Sequence, residues 1–243
     1  MNAPNDMLRM NMNLSSKVWI VVPAYNEATI LGTILSCLCS FHYQIVVIDD
    51  CSTDSTSEIA MKFPVVLLRH NINLGQGAAL QTGFDYITTY TDARCIVTFD
   101  SDGQHDVNEI PALIAPILSG AYDVALGSRF LDRTSQQSRS NGMPLFKLFT
   151  LKTGILFTVI STKIKVTDTH NGFRAFSIEA LKKIDLKQNR MAHGSELLYQ
   201  IAKNKLRYCE VPVNIAYTDY SKKKGQSVFN SINILWDLIF GSD

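Results

Sequence analysis

CIVTFDSDGQHD, residues 95–106, sets a short apolar run directly against a cluster of acids. Cys95 to Phe99 reads as a strand buried on both faces, because it is brief, rich in branched residues and bounded by polar ones. Asp100, Asp102 and Asp106 then crowd its carboxyl end. Like charges this close repel, and a carboxylate beside a dry core is costly unless something positive meets it. The pattern calls for a cation that the chain itself does not supply. Asp100 and Asp102 are two apart in a turn, so both can address one hard divalent ion, Mg²⁺ or Mn²⁺, whose shell is completed by water and substrate phosphate. Gly103 lets the backbone turn sharply, and Gln104 or His105 can complete the set.

Working outward, three further runs read as buried strands: VWIVV (18–22), IVVI (45–48) and VVLL (65–68), with DVALG (123–127) as a fifth. Helical patterns fill the intervals at 28–40, 54–62, 76–90 and 108–118. Strands alternating with helices imply an α/β fold with a parallel sheet and right-handed crossovers. Ligands bind such sheets at the carboxyl ends of the strands. There the polar clusters PAYNE (23–27), DDCSTD (49–54), NLGQGAA (73–79), DSDGQHD (100–106) and GSRF (127–130) converge. Beyond residue 130 the pattern changes. RTSQQSRSNG (133–142) reads as a loop and 143–160 as a very apolar helix. GFRAF and RYCEVPV read as strands around a helix near 193–203, and 227–240 as a last apolar helix. Residues 1–16 read as a tail, and 17–243 as one domain with halves at about 17–130 and 131–243.

The composition is that of a soluble globular chain, 46% hydrophobic and 19% charged. No uncharged apolar run reaches 18 residues, so no transmembrane helix is expected. Five cysteines (Cys37, Cys39, Cys51, Cys95, Cys209) without paired spacing read as buried reduced thiols, and the expected compartment is the cytoplasm. Net charge is +1, unevenly spread: 5 Lys/Arg against 12 Asp/Glu up to residue 121, then 18 against 10. An acidic half suits a cation, and a basic half suits phosphate or an anionic membrane surface. No basic stripe interleaved with aromatics exists, which argues against nucleic acid.

In DDCSTD, Asp50 is placed for ligand contact, while Ser52, Thr53 and Asp54 read as caps for the helix that follows. GQGAAL (75–80) lacks the third glycine of a dinucleotide loop and follows the third strand. Gly77 therefore serves close approach, either to a ligand or between helix and sheet.

Taken in order, these five motifs, with DTHNGFRAF (168–176) and EVPV (210–213), resemble glycosyltransferase family 2. The branch is the dolichyl-phosphate mannosyltransferase-like one, the polyprenyl-phosphate sugar synthases. The resemblance runs from about residue 17 to about 230. It implies the GT-A fold, a Rossmann-like and mostly parallel sheet flanked by helices, with an acceptor-side extension and an amphipathic C-terminal helix. It also implies a nucleotide-sugar donor and Mg²⁺ or Mn²⁺. Pro23, Tyr25, Glu27 and Asp50, with Gly77 and Asp100, match the nucleotide site. Asp100, Asp102 and Gln104 match the metal and diphosphate loop. Arg129 matches an arginine that meets phosphate, a task suited to a planar fork. Arg129, Lys147, Arg174, Lys222 and Ser227 are candidates for the acceptor phosphate. The branch's G-x-S-K element is altered here to KKKGQSVFN, with Val228 at the lysine position and Lys222, Lys223 and Lys224 upstream.

The resulting expectation is an inverting hexosyltransferase with a polyprenyl phosphate acceptor, serving cell-envelope or glycoconjugate synthesis. Asp102, Arg129 and Glu196 are its candidate catalytic residues. It would be peripheral on the cytoplasmic face of the membrane, docked through 143–160 and 227–240 or through a small membrane partner. A phosphate acceptor is already anionic, whereas a saccharide hydroxyl needs a base. For that alternative acceptor Glu196 is the base candidate, with His193 more structural in character. An alternative of another class is a nucleotide-sugar-binding subunit without turnover.

Overall fold

The structure is a computed structural model that describes residues 17–131, 164–169, 171–189 and 192–216. A seven-stranded sheet carries it: β1 (Val18–Ala24), β2 (Gln44–Asp49), β3 (Val66–Arg69), β4 (Cys95–Thr98), β5 (Val124–Ser128), β6 (Arg174–Ser177) and β7 (Tyr208–Pro212). The spatial order is β3-β2-β1-β4-β6-β5-β7. Ladders β1–β2, β2–β3, β1–β4 and β5–β7 are parallel, and β6 runs antiparallel to both its neighbours. The helices are α1 (Leu31–Ser40), α2 (Thr56–Ala60), α3 (Gln76–Tyr90), α4 (Ile110–Leu118), α5 (Ile178–Leu181) and α6 (His193–Lys203).

The alternation of side chains along β1 explains why its sequence is apolar throughout. Val18, Ile20, Val22 and Ala24 enter one core with α1 and α4, while Trp19 and Val21 enter the other with α3 and α6. A strand covered on both faces has no solvent side to carry polar residues. The α1 positions 31, 34, 35 and 38 and the α4 positions 110, 113, 114 and 117 fall on single helical stripes and are buried.

Chain order reverses at β1: β2 lies on one side of it and β4 on the other. In open α/β sheets ligands bind in the crevice at such a switch point, outside the strand ends. The segments after β1 and β4, 25–27 and 100–106, flank this crevice. The antiparallel β6 enters the sheet at the same edge, because Arg174 at its start is in register with Thr98 at the end of β4.

The sequence reading needs three corrections here. VVLL is an edge strand, and Val66 to Leu68 are only partly covered. Of the five thiols, all free, only Cys95 is fully buried, and Cys37 is exposed; burial pushes the Cys95 thiol up to about 12. Ser52 and Thr53 tie one loop to another instead of capping α2, and Asp54 does both, its Oδ1 accepting from the Thr56 amide at 3.0 Å while its Oδ2 serves the β1 loop. The helices read at 143–160 and 227–240 lie outside the described residues. Among the described residues, no helix is long and apolar enough to cross a membrane.

Gly83 sets how closely α3 approaches the sheet. A Cβ there would stand 2.6 Å from Val21 Cγ1 and 2.9 Å from Ile48 Cδ1. Gly83→Ala gains about 1 kcal/mol of helix propensity but overpacks a filled core at about 1–3 kcal/mol. The net expectation is destabilisation, read as a lower urea midpoint; a raised midpoint would show that β1 and β2 yield freely.

Candidate active site at the switch point

The loop after β1 is built by the loop after β2. Three successive amides, of Asn26, Glu27 and Ala28, donate to Ser52 Oγ (2.9 Å), Thr56 Oγ1 (2.9 Å) and Asp54 Oδ2 (3.1 Å). Asn26 sits at φ +55°, and its Oδ1 accepts from the Thr53 amide at 2.8 Å. A short polar side chain that bonds locally stabilises this left-handed conformation. The side chains read as helix caps thus fasten the β1 loop, which leaves Tyr25 43% exposed beside the crevice while Glu27 is buried.

Asp50 has a related task. Its Oδ1 accepts from His70 Nδ1 (2.7 Å) and the Leu74 amide (2.9 Å), and its Oδ2 from the Gly75 amide (2.7 Å). His70 Nε2 in turn meets Thr82 Oγ1 on α3 at 2.9 Å. Three of about four lone-pair positions are taken up from inside the protein. Asp50, placed in the sequence as a ligand contact, thereby shapes loop 70–75 along the crevice.

At the end of β4, Ser101 Oγ donates to the Pro23 carbonyl at 2.7 Å, which joins the acidic loop to β1. Asp100 accepts from Gln76 Nε2 (2.9 Å) at the start of α3 and meets His105 Nε2 at 3.1 Å. The His105 ring is stacked on Phe173, with centroids 4.8 Å apart. Burial raises the Asp100 carboxyl, but the His105 bond and the pull of His105, His193 and Arg174 outweigh it and hold the group below its ordinary range. Asp102 goes the other way, pushed up to about 6 by burial, by the Asp100 charge and by Glu27, against the Gln104 amide on its Oδ1. Gly103 is required by φ +75° and by space, since a Cβ would lie 2.4 Å from Ile30 Cδ1. The chain beyond β7 crosses the same loop: the Ala216 amide donates to the Gln104 carbonyl, and a groove of about 370 Å³ runs between 104–106 and 214–216.

On the other side of β4, Arg129 is gripped by the buried Asp168 through Nε (2.6 Å) and Nη2 (2.8 Å). Arg174 is buried between Asp100 and Asp168; burial lowers its pKa, and the two carboxylates oppose that. Its Nη2 donates to the Thr169 carbonyl at 3.1 Å. Gly77 approaches segment 188–189: its amide donates to the Asn189 carbonyl at 2.8 Å, and a Cβ would fall 2.0 Å from the Gln188 carbonyl oxygen. Glu196 accepts from the amides of Lys187 (2.9 Å) and Gln188 (2.8 Å).

Pro23, Tyr25, Glu27, Asp100, Asp102 and Gln104 therefore share one edge, with Arg174 beside Asp100. Arg129 stands beyond Arg174, and Glu196 lies behind the start of α3. Lys147, Lys222 and Ser227 lie outside the described residues. Sequence reasoning missed Gln76, His70 and Asp168 as parts of the site. Asp168 sat in a quoted motif, but its bidentate grip on Arg129 spans 39 positions and leaves no local signal.

The raised Asp102 carboxyl gives a signed prediction for protein without divalent cation. The group titrates near the ordinary aspartate value of 3.8 when unfolded and is raised to about 6 when folded. The native state holds that proton more tightly, so the contribution to stability is full below the lower value and is lost as pH rises through the upper one. The stability advantage of Asp102→Asn over wild type should grow from pH 4 and level off by about pH 7. Urea midpoints taken in a chelator check this, and a pH-independent difference contradicts it.

Comparison with known proteins now adds independent weight. The family model for glycosyl transferase family 2 matches residues 19–185. An uncharacterized protein of Methanocaldococcus jannaschii is 40% identical over 92% of this chain and 91% of its own length. The UDP-N-acetylglucosamine–dolichyl-phosphate N-acetylglucosaminyltransferase of Methanococcus voltae is 31% identical over 91% of this chain and 94% of its own. Among solved structures, glucosyl-3-phosphoglycerate synthase of Mycobacterium tuberculosis, in complex with Mn²⁺, UDP and its product, superposes with TM-score 0.66 at 15% identity. That match covers 94% of this chain and 79% of the other. The sheet order, the acidic turn at its switch point and these matches agree: the chain belongs to glycosyl transferase family 2 and has the GT-A fold.

Proposed function

We propose that this glycosyltransferase moves a hexose from a nucleotide diphosphate sugar to a polyprenyl phosphate, with inversion at the anomeric carbon. The observation that carries the reading is the Asp100–Asp102 pair at the switch point, one carboxyl held low and the other pushed up to about 6. Two carboxylates that repel each other beside Glu27 fit a hard dication. Among the described residues no group of three or more acidic, histidine or cysteine ligands surrounds such a site. That suits Mg²⁺ or Mn²⁺, which take one or two carboxylates and leave positions for water and substrate phosphate. Asp100, Asp102 and Gln104 would hold it, and it would supply charge stabilisation to a leaving diphosphate.

The chain's own residues then have defined tasks. Tyr25, Glu27 and the loop shaped by Asp50 receive the nucleoside, with Tyr25 offering an aromatic face. An acceptor phosphate oxygen bonds to the anomeric carbon as the bond to the diphosphate oxygen breaks, and the nucleoside diphosphate departs. No proton changes hands, so no base is needed. Arg129, oriented by Asp168, and Arg174 place positive charge on the acceptor side. The state of Glu196 supports a phosphate acceptor over a hydroxyl: its carboxylate already accepts two backbone amides. A polyprenyl acceptor puts the enzyme at a membrane surface, and a nucleotide-sugar donor puts it on the cytoplasmic side.

The test is a screen of UDP- and GDP-sugars with Mn²⁺ and a short polyprenyl phosphate, read by mass spectrometry. UDP-N-acetylglucosamine comes first, because the M. voltae relative is named for it. The expected product is a polyprenyl phosphosugar. Asp102→Asn should lower its rate by about 100-fold or more, the scale on which one transition-state contact is worth. Formation of product with a glycan acceptor alone, or equal rates in a chelator, would defeat the reading.

A further inference from the structure

Segment 185–189 forms a strap across the start of α3, and both of its sides are fastened. On the outer side, Glu196 of α6 accepts from the amides of Lys187 and Gln188, and Gln200 Oε1 accepts from the Asp185 amide at 2.7 Å. On the inner side, the Asn189 carbonyl accepts from the Gly77 amide, and the Leu186 amide donates to Gln81 Oε1 at 2.8 Å. The first amides of a helix lack intrahelical acceptors. In α3 no capping side chain meets them, and the strap's carbonyl does so instead. The neighbouring residue, Gln76, donates from its side chain to Asp100. Gly77 is the contact point, since a Cβ would overlap the Gln188 carbonyl at 2.0 Å and approach His193 Cβ at 2.9 Å.

We infer that Glu196 is a positioning residue for the donor site: by holding the strap on the start of α3, it sets Gln76 against Asp100. The inference rests on the reading of Asp100 as a metal and diphosphate ligand. Glu196 touches no reacting group in this scheme. It acts through two backbone amides, then a backbone carbonyl, then the helix start, and its removal is felt in donor affinity. Two links in one line should also fail together: once either is cut, cutting the other changes little.

The experiment compares Glu196→Ala, Gln76→Ala and the double variant in calorimetric titrations of Mn²⁺ with UDP and with GDP. Each single variant should weaken binding of the metal-dependent nucleotide by about tenfold, the scale of one charge-assisted hydrogen bond. The double variant should be no weaker than the poorer single one. Glu196→Ala should keep the wild-type pH–rate profile, with the loss seen in the donor KM more than in kcat. Gly77→Ala, which leaves both side chains in place and dislodges the strap from the other side, should reproduce the affinity loss. Multiplicative losses in the double variant overturn the inference. So does a Glu196→Ala protein with wild-type nucleotide affinity, collapsed kcat and one limb of the pH profile missing, which is the signature of a base. Hydrogen exchange gives a separate readout: the Gly77 and Ala78 amides should exchange faster in Glu196→Ala than in wild type. Unchanged protection overturns the strap itself. Faster exchange in a protein that binds neither nucleotide would instead defeat the functional reading and leave the strap standing.

Discussion

Two carboxylates at the end of a strand buried on both faces form the constraint around which the molecule is arranged. β4 ends in apolar surroundings, and Asp100 follows after Phe99, with Asp102 two residues later. A pair of charges there is tolerated only if the protein supplies partners or leaves one group protonated. Here it does both. His105, Gln76 and Arg174 converge on Asp100, each from a different part of the chain, and Asp102 is left with its carboxyl raised. The cost of crowding them is not relieved within the described residues. It is the kind of imbalance found where a ligand completes a site.

That requirement for geometry explains the density of side-chain-to-backbone bonds along this edge. A loop that lines a ligand crevice is polar and exposed, and such loops are mobile unless something fastens them. Ser52, Asp54 and Thr56 fasten loop 26–28; Asp50 fastens loop 70–75; Glu196 fastens 187–188. In each case a polar side chain on one segment takes up the amides of another. The strand ends thereby act as one rigid rim.

The repeating core was legible in the sequence because burial on both faces writes itself as uninterrupted Val and Ile, and helices that cover a sheet write themselves at 3.6-residue spacing. The acidic turn was legible because its residues are adjacent. What escaped was everything set by distant pairing. Periodicity carries no direction, so the antiparallel run of β6 could not be read from GFRAF. Edge position depends on strand order, so β3 looked as buried as β2. Gly77 was rightly read as a point of close approach, but the approaching partner, residue 188, is more than a hundred positions away. Asp50 and the polar residues after it were read by local habit, as ligand contact and helix cap; Asp54 does meet the first amide of α2, but the amides that Asp50, Ser52 and Asp54 take up from other loops leave no local signal.

The same logic of distant pairing accounts for arginine at position 174. Its guanidinium is almost wholly buried, and the charges of Asp100 and Asp168 oppose the cost of that burial. Asp168 in turn holds Arg129 by two hydrogen bonds. The result is an alternation of sign along one edge: Asp102, Asp100, Arg174, Asp168, Arg129. A lysine would offer a compact ammonium whose burial readily drives it neutral, which would leave two carboxylates unopposed. Guanidinium keeps its charge at any relevant pH and can address several acceptors in fixed directions. Such a buried row adds little net stability, because desolvation offsets much of the attraction. Its value is in register: under the proposed function it would fix the spacing between the group that meets the donor and the group that meets the acceptor. In a single displacement that spacing decides whether nucleophile and leaving group stand in line.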